Sequence, residues 1–159
     1  MMTTTSQRSR IAQLARNARR VGALSPDDDQ GAKKLTSCRL TATEMDEANQ
    51  LAASMGRKRG PFIAHIYKIG MTHYMAQENR ALFYSQHQLG AWAVGADGRA
   101  IVPTALASLH LHQGEVAEAT RLADECGHMF VAPFLRGIYL LGLELFKQKR
   151  GQVQFFGQQ

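Results

Sequence analysis

Cysteine is scarce in this chain: Cys38 and Cys126 are the only two in 159 residues. That is too few for a disulfide scaffold, and the two are expected to be reduced thiols of a cytosolic protein. Long hydrophobic runs are also missing. The longest uncharged apolar run of the C-terminal half, Gly137 to Leu143, falls far short of the roughly 20 residues that span a bilayer, so no membrane segment is expected. No apolar stretch follows the arginines of the first thirty residues, which argues against a secretory signal. There is no Gly-rich phosphate loop, no Gly-x-Ser-x-Gly and no His-Glu-x-x-His, so neither an enzyme nor a cofactor is expected. The histidines do not assemble a metal site either. His110 and His112 are two apart and share no helical face, Cys126-Gly127-His128 has no second pair to complete it, and His65 and His73 lie eight positions apart.

What the chain does have is enough apolar sequence, 45% of its residues, to bury one respectable core. It also has an uneven charge. The net +6 comes entirely from the first half. Residues 1–30 carry +2, residues 31–80 carry +4 and residues 81–159 carry zero. A basic half beside a neutral one points to a polyanionic partner for the basic half.

Residues 1–32 are expected to be a flexible basic arm and linker. The Thr-rich start is polar, Ile11, Leu14, Ala15 and Ala18 lie at helical spacing among arginines, and Ser25-Pro26-Asp27-Asp28-Asp29-Gln30-Gly31 interrupts regular structure. A strand is predicted over 34–40, with Thr36, Cys38 and Leu40 on one face and Leu35, Ser37 and Arg39 on the other. Thr41 and Glu44 make a capping box. Met45, Ala48, Leu51, Ala52 and Met55 then continue at the spacing of an amphipathic helix that Gly56 ends. After the basic turn Arg57-Lys58-Arg59, Pro61 is placed to open a second helix carrying Phe62, Ile63, Ile66, Tyr67, Ile69 and Met71. That helix is expected to run through Met75 and on toward Phe83. Its apolar surface is wider than one neighbouring helix can cover, which suggests a dimer.

Residues 33–76 resemble the ribbon-helix-helix family of DNA-binding proteins. The resemblance rests on Ser37-Cys38-Arg39-Leu40-Thr41 leading into Glu44, then Leu51-Ala52, Gly56-Arg57, Phe62-Ile63 and Ile66. It implies a mainly α fold in which a β-α-α unit, residues 33–80, forms an intertwined dimer. A lone strand leaves its backbone groups unpaired, and two chains pairing their strands about a two-fold axis remove that difficulty. The resulting ribbon fits the major groove, roughly 12 Å wide. Leu35, Ser37 and Arg39 would then face the bases, with Arg39 able to hold guanine O6 and N7 in a fork. The expected phosphate contacts are Lys33, Lys34, Arg57, Lys58, Arg59, Gly60 and Phe62, grouped at the strand and at the positive end of the second helix.

Residues 81–159 are expected to form a mainly helical domain for oligomerisation or for a protein partner. Trp92 to Val102, around Asp97-Gly98, reads as a β-hairpin. Ala105 to His112 reads as a helix stopped by Gly114, Val116 to about Gly127 as another, and Phe134 to Phe146 as a third. Ala107 to Gly127 also resembles a single tetratricopeptide helix pair. The function expected is that of a cytoplasmic, nucleoid-associated transcriptional regulator. It would bind double-stranded DNA at an inverted-repeat operator, as a homodimer or higher oligomer, on a plasmid or other mobile element. Two other readings stand beside it: a relaxosome accessory protein at a transfer origin, and a helical adaptor that does not bind DNA.

Overall fold

A computed structural model describes residues 33–157, with the side chains of residues 36–150. The expected arm and linker over 1–32 lie outside the described residues, as do the side chains of Phe155 and Phe156. Contacts divide the chain into a large unit, residues 35–111 and 115–159, and a small one of which only residues 33–34 and 112–114 are described. The large unit is mainly helical, with one two-stranded antiparallel sheet.

The first strand, β1, spans Lys33–Leu40. Its alternation is as expected: Cys38 and Leu40 are buried, and Arg39 between them is exposed. Helix α1, Ala42–Ser54, starts at a complete capping box. The Glu44 N–H donates to Thr41 Oγ1 at 3.1 Å and the Thr41 N–H donates to Glu44 Oε1 at 2.8 Å, so two otherwise orphaned donors of the first turn are satisfied. The helix ends at Gly56, whose φ of +66° suits a residue without Cβ. The Gly56 N–H reaches Ala53 O and the Arg57 N–H reaches Ala52 O, which is the Schellman arrangement.

Helix α2, Arg59–Met75, begins two residues before Pro61. Pro61 therefore sits inside the first turn, where a missing N–H costs no hydrogen bond. The helix stops at Met75 and does not reach Phe83. Asn79 instead caps a separate short helix, α3, Arg80–Gln86, its Oδ1 accepting from the Leu82 N–H at 3.1 Å. The expected hairpin over 92–102 reduces to a single bridge, Val94 with Ala100. Trp92, Val94, Ile101 and Val102 are all exposed, so no buried face holds longer strands there.

Residues 105–112 correct the sequence expectation. They form a strand, β2 (Ala105–His112), and not a helix. Ala107, Leu109 and Leu111 are fully buried while Leu106 and His110 are exposed, a period of two. Ala and Leu favour helix by fractions of a kcal/mol per residue, which pairing with a neighbouring strand outweighs. The tetratricopeptide likeness falls with it. Gly114 lies within the first turn of α4, Gln113–Glu125, and does not stop a helix. α4 ends as α1 does. Gly127 has φ +84°, its N–H reaches Asp124 O, and the His128 N–H reaches Ala123 O. Helix α5, Val131–Gly157, closes the fold.

The order strand, helix, helix is thus met twice, and the sequence repeats with it. Leu35, Ser37, Leu40, Glu44, Glu47, Ala48, Leu51, Ala52 and Gly56 recur 71 positions later as Leu106, Ser108, Leu111, Glu115, Glu118, Ala119, Leu122, Ala123 and Gly127. After one inserted residue, Pro61, Phe62, Ile66, Tyr67 and Gly70 recur 72 positions later as Pro133, Phe134, Ile138, Tyr139 and Gly142. The two copies meet symmetrically. β1 pairs with β2. α2 crosses α5 at Gly70 and Gly142, where a Cβ on Gly70 would overlap the Ile138 carbonyl and a Cβ on Gly142 would overlap the Ile66 carbonyl. Each helix thereby covers the apolar face of the other.

Both needs that suggested a dimer, a partner for the strand and a cover for the second helix, are met within one chain. One core runs across the boundary expected near residue 80. Phe62, Ile66 and Tyr74 share it with Phe134, Ile138 and Tyr139, and Tyr74 stands edge-on to both Tyr84 and Phe134.

Candidate nucleic-acid interface

The ribbon has a dry face and a wet one. Cys38, Leu40, Ala107, Leu109 and Leu111 point into the core. The opposite face carries Arg39, Leu106 and His110, all exposed, with Ser37 and Ser108 half-buried between them. These five include no carboxylate. Lys34 and Leu35 lie on β1 as expected and Lys33 begins it one residue earlier, but the side chains of all three are outside the described residues. One Arg39 N–H, from Nη1, donates to the Thr104 carbonyl at 3.0 Å. That tethers one corner of the guanidinium and leaves its other donors without a partner among the described residues.

The floor under this face is buried and largely apolar. Burial pushes the Cys38 thiol up to about 12, against the pull of Arg136, so it is a small apolar filler and no nucleophile. Tyr67 and Tyr139, equivalent residues of the two copies, are buried with hydroxyls that find no partner among the described residues. Burial also raises both phenols well above their ordinary value.

A bidentate ion pair ties the first copy to the second where β1 enters α1. Arg136 Nη2 donates to Glu44 Oε2 at 2.6 Å and Arg136 Nε to Glu44 Oε1 at 3.1 Å. A third donor, Nη1, reaches the Ala91 carbonyl at 3.2 Å. The Arg136 side chain is only 5% exposed and that of Glu44 16%. A buried fork of this kind sets geometry more than it adds stability, because desolvation offsets much of the attraction. The same Glu44 completes the capping box, so one carboxylate fixes the end of the ribbon against both α1 and α5.

The basic turn lies at the other end of α1. Arg57, Lys58 and Arg59 are exposed. Lys58 is the N-cap of α2 and makes no side-chain cap, and a Cβ on Gly60 would meet nothing within 4 Å, so the approach to this helix start is open. Arg59 Nη1 donates weakly to Asn49 Oδ1 at 3.4 Å. Phe62 does not belong to this surface. Its ring is fully buried and edge-on to Phe146, and its N–H donates to the Lys58 carbonyl. Of the phosphate contacts expected around the turn, Arg57, Lys58, Arg59 and Gly60 remain in reach of solvent.

The equivalent turn of the second copy is His128-Met129-Phe130 and carries no fixed charge. His128 Nε2 lies 2.7 Å from the Tyr84 hydroxyl, and burial lowers its pKa, which favours the neutral ring. Met129 and Phe130 are 88% and 70% exposed.

Leu106, Ser108 and His110 do not stand out as site residues while their segment reads as a helix. The signal is present, since they stand 71 positions after Leu35, Ser37 and Arg39. Among the described residues no group of three or more His, Cys, Asp or Glu could hold a metal ion, and no helix is long and apolar enough to cross a membrane. No protein-family model, curated protein or solved structure matches the chain.

Proposed function

We propose that this chain binds double-stranded DNA sequence-specifically and regulates transcription, by laying the β1–β2 ribbon in the major groove. One observation carries the reading: an antiparallel ribbon with one face sealed in the core and the other presenting Arg39, Ser37, Ser108 and His110 with no acidic side chain among them. Two strands about 4.8 Å apart pass into a groove roughly 12 Å wide with room for side chains. Arg39 supplies the fork that suits guanine. The exposed turn Arg57-Lys58-Arg59 supplies attraction to phosphate that orients without specifying.

The strand-helix-helix order, met twice and joined through its strands, supports a ribbon-helix-helix arrangement in which one chain contributes both units. Selection of bound duplexes from a random pool at two salt concentrations tests this. Enrichment of a short motif, with affinity falling steeply as salt rises, is the expected result. A motif overlapping promoters supports regulation, and one beside a nick site supports a transfer-origin role. No binding at either salt concentration refutes the reading and leaves an adaptor that does not bind DNA.

A further inference from the structure

The two copies are built alike but armed differently. On the open face of the ribbon Ser37 and Ser108 are equivalent, but Arg39 is answered by His110. At the start of the second helix of each copy, Arg57-Lys58-Arg59 is answered by His128-Met129-Phe130. A ribbon made from two identical chains presents the same side chains to both halves of its target, and a two-fold protein selects a two-fold site. That symmetry is broken here within a single chain.

We propose that Leu106, Ser108 and His110 form the second half of the base-reading face, so that one chain reads one non-palindromic DNA site. This rests on the DNA-binding reading above and departs from the inverted repeat expected of a dimer. Arg39 can hold one guanine through two parallel hydrogen bonds. An imidazole offers one ring nitrogen at a time and discriminates less. The half-site under β1 is therefore the more strictly specified, and the half-site under β2 the more tolerant. The phosphate grip is one-sided as well, because only the first copy brings a cationic turn.

The duplex selection is repeated with the full chain carrying Arg39→Ala, His110→Ala and His110→Arg. Both positions are exposed, and circular dichroism checks that each variant folds. Expected is a motif with unlike halves, bound as one chain per duplex by sedimentation equilibrium. Arg39→Ala should cost about tenfold in preference at a base pair of one half only. His110→Ala should relax the other half only. His110→Arg should draw the weaker half toward the mirror image of the stronger.

An inverted repeat with equal halves, held by two chains, overturns the inference and leaves DNA binding standing. So does a variant that changes both halves together. Salt-sensitive binding without any enriched motif also overturns it, leaving a non-specific DNA coat. Failure to bind any duplex removes the DNA reading itself.

Discussion

The two strand-helix-helix copies share residues where their second helices pack on one another and differ at several positions that face solvent. Phe62 and Phe134, Ile66 and Ile138, Tyr67 and Tyr139, and Gly70 and Gly142 are identical pairs at the interface between the copies, and every one of them is buried. Arg39 against His110, and Arg57-Lys58-Arg59 against His128-Met129-Phe130, differ at positions that face solvent wholly or in part. Packing constrains both copies equally, because a helix crossing at backbone contact admits no Cβ on either side. The surface carries no such constraint. What distinguishes the copies is therefore where specificity is expected to lie, and what unites them is the scaffold.

That contrast can be broken at several points. The largest effect is expected at the crossing. Gly70→Ala or Gly142→Ala puts a Cβ into a backbone carbonyl of the opposite helix and should cost roughly 4 kcal/mol, above the usual range for overpacking because backbone cannot step aside. Urea unfolding measures it, and the two variants should match. A much smaller loss in one of them would mean that the crossing is not symmetric.

Next comes the ion pair, which exists in one sense only, since Ala64 stands where the first copy would carry the counterpart of Arg136. Glu44→Gln strands a buried guanidinium and should cost about 3 kcal/mol. Arg136→Met should cost less, because the Glu44 carboxylate it leaves behind is the more exposed of the two and still accepts from the Thr41 N–H.

Third are the turns. Replacing Arg57, Lys58 and Arg59 by Gln should weaken binding to all duplexes alike. It should also lower the slope of log affinity against log salt by up to about 2.7 if each contacts one phosphate. The same replacement of Met129 and Phe130 should leave that slope unchanged.

The smallest effect is a pH dependence confined to the second turn. His128 has a folded-state pKa below its ordinary value near 6.5. Its contribution to stability is thus complete above that value and is lost as pH falls below it, because the unfolded chain takes up the proton first. The stability of His128→Gln should fall less than that of the natural chain between pH 7 and pH 5.

The first copy was largely legible in the sequence. Thr41 with Glu44, Gly56, and the alternation through Cys38, Arg39 and Leu40 are local signals, and local hydrogen bonds and pleat geometry decide those outcomes. The second copy was not. Ala105-Leu106-Ala107-Ser108-Leu109-His110-Leu111-His112 is dominated by the helix formers Ala and Leu, and its pairing with an antiparallel neighbour 65 or more positions away holds it as a strand. The repeat itself was obscured by the residue inserted between Gly127 and Pro133 and by identities scattered along the buried face. Without the repeat, a dimer looks necessary. On the candidate site, Ser37 and Arg39 were readable from one strand, whereas Ser108 and His110 needed the pairing.

The pairing of β1 with β2 inside one chain also changes what dilution and mutation can do. Strands contributed by separate molecules part when the protein is scarce, whereas tethered strands keep a fixed effective concentration at any copy number. A codon change in a symmetric dimer is displayed twice, on both sides of its axis. Within this chain it is displayed once, so the two edges of the ribbon can change independently of each other.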